Sequence, residues 1–239
     1  MISGFVLKGF REYYVEFWYT LTSIISLGFR ILIFYFLWVA LVGNAAGGVL
    51  SYLILAQVFW YAGPTKMMKK INREVREGTF DLRLLRPASV PVQYLFEEFG
   101  SNLLRFFTLF GLLFLMFSYA GLSVNLLFLL PAFLISYLSH FFLFLSVGSL
   151  VFWFGDSKPF IWILSRLIMI SQVVPHHYFP PLFQRIFDLL PGKYTVYYPV
   201  EMALEGTLFA EPLIYLAALS GISALVIRFG IRKVNVYGG

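Results

Sequence analysis

Between Leu21 and Val42 the chain runs for 22 residues with a single charge, Arg30. A helix that crosses a bilayer needs about 20 mostly apolar residues, so such a run constrains the fold class more than any other feature. It recurs along the chain, at residues 49–65, 103–122, 126–154, 160–174 and 212–229. The fourth run of 29 residues would make about 43 Å of helix, more than a hydrocarbon core of about 30 Å, so it must tilt, kink near Pro131 or project from the membrane. Composition agrees with this reading. The chain is 60% hydrophobic and 13% charged, whereas soluble domains carry about 25% charged residues. Its 28 Phe and 15 Tyr exclude a disordered chain. The expectation is an all-α integral membrane protein of six transmembrane helices in one domain over residues 1–239.

The basic residues orient the six spans. With both termini in the cytoplasm, thirteen Lys and Arg fall on the inner side and only Arg185 and Lys193 on the outer. That asymmetry matches the positive-inside rule and predicts a multi-pass protein of the cytoplasmic (inner) membrane. The net charge of +6 therefore reads as anchoring to an anionic bilayer surface, not as nucleic-acid binding. The segment MISGFVLKGFREYY lacks the apolar stretch and small-residue cleavage site of a signal peptide.

Two segments are neither spans nor simple loops. Residues 5–19 pattern as an amphipathic interfacial helix, with Lys8, Arg11 and Glu12 on one side and Val6, Phe10, Tyr13 and Phe17 on the other. Residues 175–211 hold five prolines, and their apolar pieces are too short to span. They predict short re-entrant helices on the extracytoplasmic side, which need cover from protein or a water-filled cavity.

No catalytic constellation is visible. There is no Cys, no H-E-x-x-H and no G-x-S-x-G. His176 and His177 are adjacent, a poor spacing for a metal clamp, and no metal is expected. Gly63–Pro64–Thr65–Lys66 is not a phosphate loop. Three residues inside the spans are candidates for a substrate pathway: Arg30, Arg166 and His140. An intramembrane arginine costs about 2.5–3.5 kcal/mol on insertion scales; each either meets an anionic headgroup, makes a structural pair or snorkels. His140 lies among Ser136, Ser139, Ser146 and Ser149, residues that commonly bond neighbouring helices. Glu98, Asn102 and Arg105 share a helical stripe and predict a structural network at the inner interface.

The long polar loop, residues 66–98, is the most informative segment. Lys69 to Glu77 is charged and helical in pattern, Gly78 stops the helix, and Pro87 breaks the chain again. The apolar residues Phe80, Leu82, Leu84 and Leu85 suggest a docking element.

This loop carries a resemblance. The run Glu77–Gly78–Thr79–Phe80–Asp81, followed by Leu84–Leu85–Arg86–Pro87, resembles the G-x-x-D…L-L-R-P signature of bacterial and archaeal ABC transporter permeases of the exporter type, in the group described as ABC transport system permease components. The outer segment, with Phe179–Pro180, Leu190–Pro191, Tyr198–Pro199 and Leu204–Glu205–Gly206, is similar to that family's proline-spaced region before its last helix. The resemblance implies an exporter permease subunit that works by alternating access, and composition rich in Phe and Leu suits an amphiphilic or hydrophobic substrate. It implies a homodimer or a heterodimer with a related permease, and a separate ABC ATPase subunit that binds ATP and Mg2+, so that this chain is not itself the enzyme. It further implies that the loop is a coupling helix docked in the ATPase, through Lys69, Lys70, Arg73, Glu74, Arg76, Glu77, Gly78, Asp81, Arg86 and Pro87. The rival expectation, an ATP-independent carrier or channel, predicts internal repeats. Residues 1–120 and 121–239 do not match each other in that way.

Overall fold

The computed structural model describes residues 6–7, 17–43, 46–120 and 124–237. Most of the expected interfacial helix at 5–19, including Lys8, Arg11 and Glu12, lies outside the described residues. Its last three positions, 17–19, already belong to α1 (Phe17–Val42). Every regular element among the described residues is helical. α2 (Ala46–Tyr61) returns alongside α1. Then come α3 (Lys66–Arg76), the single turn α4 (Asp81–Leu84) and the long α5 (Val90–Ala120). α6 (Leu126–Gly148), the single turn α7 (Val151–Phe154) and α8 (Lys158–Val173) follow. Short pieces cover the outer end: α9 (Pro181–Phe187), a π turn at Lys193–Tyr197 and α10 (Tyr198–Glu205). α11 (Glu211–Tyr237) closes the chain.

Three stretches are long and apolar enough to cross a membrane: Leu21–Leu41, Leu126–Phe154 and Glu211–Lys233. A fourth crossing exists if Val90–Leu103 and Arg105–Ser118, bent by 50°, form one span. The sequence placed the start of this span at residue 103. The helix instead begins at Val90, where Pro91 suits a first turn, and its polar lower half is buried against protein. Near the bend Ser101 Oγ bonds the Glu98 carbonyl at 2.9 Å, a competitor for the helical ladder of the kind that bends helices. α6 runs through Pro131 without interruption. The break in the 29-residue stretch falls at Ser149–Leu150, where Ser149 Oγ donates to the Leu145 carbonyl at 2.7 Å and the Leu150 amide tightens to Val147 O at 3.2 Å.

α2 is the centre of the bundle. Residues 51–59 are buried on every side, as expected for a helix apolar all round. Leu53, Leu55, Ala56 and Phe59 have no exposed surface. In lipid such burial is rewarded by packing more than by dehydration. Enlarging Ala56 would overpack the site, at about 1–3 kcal/mol. α2 is tied to α8 through Tyr52, whose hydroxyl donates to the Ser171 carbonyl. Trp38 of α1 does likewise to Val173 O at 2.9 Å. α6 forms the second axis and joins α11 through Ser146 Oγ and Ser223 Oγ, 2.8 Å apart.

The outer cover is held by polar contacts. His176 Nε2 lies 2.9 Å from Asp188 Oδ1, Lys193 Nζ pairs with the same carboxylate, and Phe179 stacks on Phe187. Gly206, at φ +72°, ends α10 in the left-handed region. Leu182, Phe183, Ile186 and Leu189 on and after α9 are exposed.

Candidate functional site

The Lys66–Arg76 helix forms because its charges are spaced for a solvated face while Met67, Met68 and Ile71 point inward and are buried. Gly78, at φ +69°, terminates it, and the amides of Thr79 and Phe80 both reach back to Glu74 O, at 2.9 and 3.1 Å. The chain therefore reverses within four residues. Phe80 drops into the core against Phe152, with ring centroids 5.0 Å apart.

The reversal brings Arg83 over α3. Arg83 Nε donates to Glu74 Oε2 at 2.5 Å and its Nη2 to Glu74 Oε1 at 2.7 Å. Nη2 also reaches Glu97 Oε2 at 2.8 Å. The guanidinium stacks 3.9 Å from the Tyr94 ring centroid, and the Tyr94 hydroxyl donates to Glu74. Lys70 Nζ pairs with Glu97 at 2.8 Å, and Arg86 approaches the same carboxylate at 3.6 Å. Burial alone would raise the Glu74 carboxyl, but the bonds from Arg83 and Tyr94 outweigh it and hold Glu74 below its ordinary value. Burial would likewise lower Arg83, and its bonds to Glu74 and Glu97 reverse the sign. This buried network clamps α3, α4 and α5 into one unit.

A second tie runs to the turn before α8. Asn72, 2% exposed, accepts from the Ser157 amide at 2.9 Å and from Ser157 Oγ at 3.1 Å. Arg76 lies 3.5 Å from Asp156. α3 also crosses α6 closely at Gly148, where a Cβ would sit 3.5 Å from Met68 Cα.

The residues expected to dock thus divide. Glu74 and Lys70 are engaged inward, and Arg86 leans on Glu97. Lys69, Arg73, Arg76, Glu77, Gly78, Asp81 and Pro87 are exposed, and the first four of these also line a cavity above α3. Leu82 and Leu85 join them at 60% and 81% exposure. Arg83 and Glu97 were not singled out by sequence reasoning. Arg83 meets Glu74 and Glu97 at separations of 9 and 14 residues, across a turn that no helical spacing describes.

Above α3 lies a cavity of about 960 Å³. Its walls come from α1, α2, α3, α5 and α8, and Arg30 and Arg105 line it. Arg30 holds its guanidinium 5.4 Å from the Tyr61 ring centroid. Arg105 is buried and donates to Tyr61 O at 3.1 Å, so the Glu98–Asn102–Arg105 stripe is buried as a unit. Arg166 is elsewhere. It is exposed, 5.4 Å from the Trp162 ring centroid, with Nη1 3.8 Å from Met169 Sδ. His140 is buried behind Trp60, with Nδ1 2.8 Å from Ser136 O and Nε2 without a protein partner. Among the described residues no group of His, Asp and Glu could hold a metal ion.

Residues 48–238 match the family described as ABC-2 family transporter protein. The chain belongs to that family. The match begins within α2 and takes in every later element, including the α3–α4 unit and the outer cover. A comparison with curated proteins gives no significant match. Membership makes this ABC-2 protein a multi-pass membrane component of an ABC transporter, and an ABC ATPase its partner.

Proposed function

We propose that the chain is the permease subunit of an ATP-driven exporter, and that the exposed side of α3 and α4 is its coupling surface. The observation that carries this reading is the construction of that unit. A polar helix outside the apolar spans is clamped from behind by the Arg83–Glu74–Glu97 network, and it leaves Leu82 and Leu85 uncovered on the other side. A solvated loop has no need of either feature. Force applied to this unit passes through Asn72 to Ser157, and so to the start of α8.

The six-span layout belongs to this proposal. α2 and α8 have 16 residues each, or about 24 Å, which local thinning matches to a hydrocarbon core of about 30 Å. With the apolar stretches they make six crossings, both termini and α3 inside and the 175–211 cover outside. Exposed Arg166 supports a second permease subunit, identical or related. An arginine facing lipid costs about 2.5–3.5 kcal/mol, which contact with protein on that side of α8 removes. The cargo in this reading is amphiphilic or hydrophobic. The test is reconstitution of the chain with a co-expressed ATPase subunit: stable co-purification and ATP-dependent movement of an amphiphile support the reading, and ATP-independent movement by the chain alone overturns it.

A further inference from the structure

The cavity above α3 has a charge pattern that an apolar cargo does not need. Eight Lys and Arg line it against two carboxylates, Glu77 and Glu98. Lys70 pairs with buried Glu97, and Arg76 with partly exposed Asp156. Arg30, Lys69, Arg73 and Lys158 form no ion pair among the described residues. Arg105 is 6% exposed, and its Nε finds no acceptor. A buried guanidinium with an orphan N–H is costly, and an oxyanion supplies the missing acceptor in a geometry suited to it.

Size and position narrow the ligand. A volume of about 960 Å³ exceeds what a single phosphate fills and lies in the range of organic-ligand pockets, about 300–1,000 Å³. Along α1 the lining extends from Ser23 to Arg30, about 10 Å of helix. The outer sides of two wall helices are apolar and exposed, with Phe29 and Ile33 on α1 and Trp162 on α8. The cavity therefore joins a basic chamber to helices that face lipid.

We propose that this cavity binds the anionic headgroup of a membrane amphiphile, a phosphate or comparable oxyanion carried on acyl chains. Arg30 and Arg105 hold the oxyanion at the inner end, and Lys69, Arg73 and Lys158 attract it from the cytoplasmic side. Calling that amphiphile a transported substrate rests on the permease reading; the binding itself does not.

The test uses the purified full-length chain in neutral detergent, without ATPase or ATP. Short-chain phosphatidic acid, phosphatidylcholine with the same chains and inorganic phosphate are titrated separately. The expected result is that phosphatidic acid binds at least about tenfold tighter than phosphatidylcholine, and less tightly as salt rises. Arg30→Gln should lose about tenfold in that affinity, while Arg166→Gln, an arginine outside the cavity, should lose none. If Arg30→Gln does not fold, the double variant Lys69→Gln/Arg73→Gln on the exposed side of α3 makes the same test. Equal binding of the two lipids overturns the proposal, as does an equal loss in Arg30→Gln and Arg166→Gln. Inorganic phosphate binding as tightly as phosphatidic acid overturns the amphiphile as its source. Failure of the ATPase to co-purify would sink the permease reading and leave these affinities standing.

Discussion

Asn72 of the polar helix receives both the backbone N–H and the side-chain hydroxyl of Ser157, at 2.9 and 3.1 Å. Neither residue is exposed by more than 2%. The contact joins segments 85 residues apart and makes the start of α8 follow α3. Replacing Asn72 by Ala leaves the buried Ser157 amide unsatisfied, which costs about 1–3 kcal/mol. Ser157→Ala removes only one donor and should cost less. Thermal unfolding of the purified variants checks the order; equal midpoints for Asn72→Ala and the parent would show that the tie bears no load.

Glu74 serves the clamp, so its substitution is expected to act on stability before docking. Removing one partner of a buried ion pair costs about 3–5 kcal/mol. Glu74→Lys sets a second cation against Arg83 and should lower the yield of folded protein from membranes. Glu77→Lys, on the exposed side, should leave that yield unchanged. Fluorescence-detected size-exclusion profiles separate the two, and matching profiles would contradict the clamp.

Gly148 is where α3 and α6 pass closest. A Cβ there meets Met68 Cα at 3.5 Å and Ile71 Cδ1 at 3.4 Å, contacts that Ala can make. Gly148→Ala should fold like the parent. Gly148→Leu should push α3 away, with an overpacking cost of about 1–3 kcal/mol. Protease sensitivity of the 76–89 segment reports the displacement, and the same cleavage rate in both variants would argue against it.

The outer cover holds an acid with unusual protonation. Burial, and then the neighbouring Glu205 carboxyl, push Glu201 up from 4.5 to about 7. The folded state therefore prefers the neutral acid. Its contribution is fully present below pH 4.5, the ordinary value, and is lost as pH rises through about 7. The unfolding midpoint should fall across that window in the parent and less so in Glu201→Gln. A slope unchanged by the substitution would place the titration elsewhere.

Much of this architecture was legible in the sequence. The apolar runs announced an all-helical membrane protein, and Gly78 marked the end of the polar helix. The internal use of its charges was not legible. Lys70 and Glu74 stand four apart, the spacing of a helical pair, yet Lys70 bonds Glu97 and Glu74 bonds Arg83. The turn at Gly78 brings in these distant partners, and fork-shaped Arg83 offers Glu74 two donors where Lys70 offers a point charge. The basic cavity was hidden for a related reason. Arg30, Lys66, Arg105 and Lys158 come from four helices, and only packing places them around one space. Arg166, an equal of Arg30 by sequence, lies on α8 outside that lining.

The central claim is that the exposed side of α3 and α4 carries the ATPase. Its most direct measurement is the amount of co-expressed ATPase subunit recovered with the tagged chain, at matched membrane expression, for Leu82→Asp, Leu85→Asp and Glu77→Lys. Losing one partner of a buried interfacial charge pair, as in Glu77→Lys, costs about 2–5 kcal/mol, an unpaired Asp set into an apolar contact is at least as costly, and every 1.4 kcal/mol is about tenfold in affinity. Each variant is therefore predicted to fold normally and to retain about a tenth of the ATPase or less. Recovery of the ATPase at parental levels with all three variants would contradict the docking surface and leave the loop as a basic anchor on the membrane.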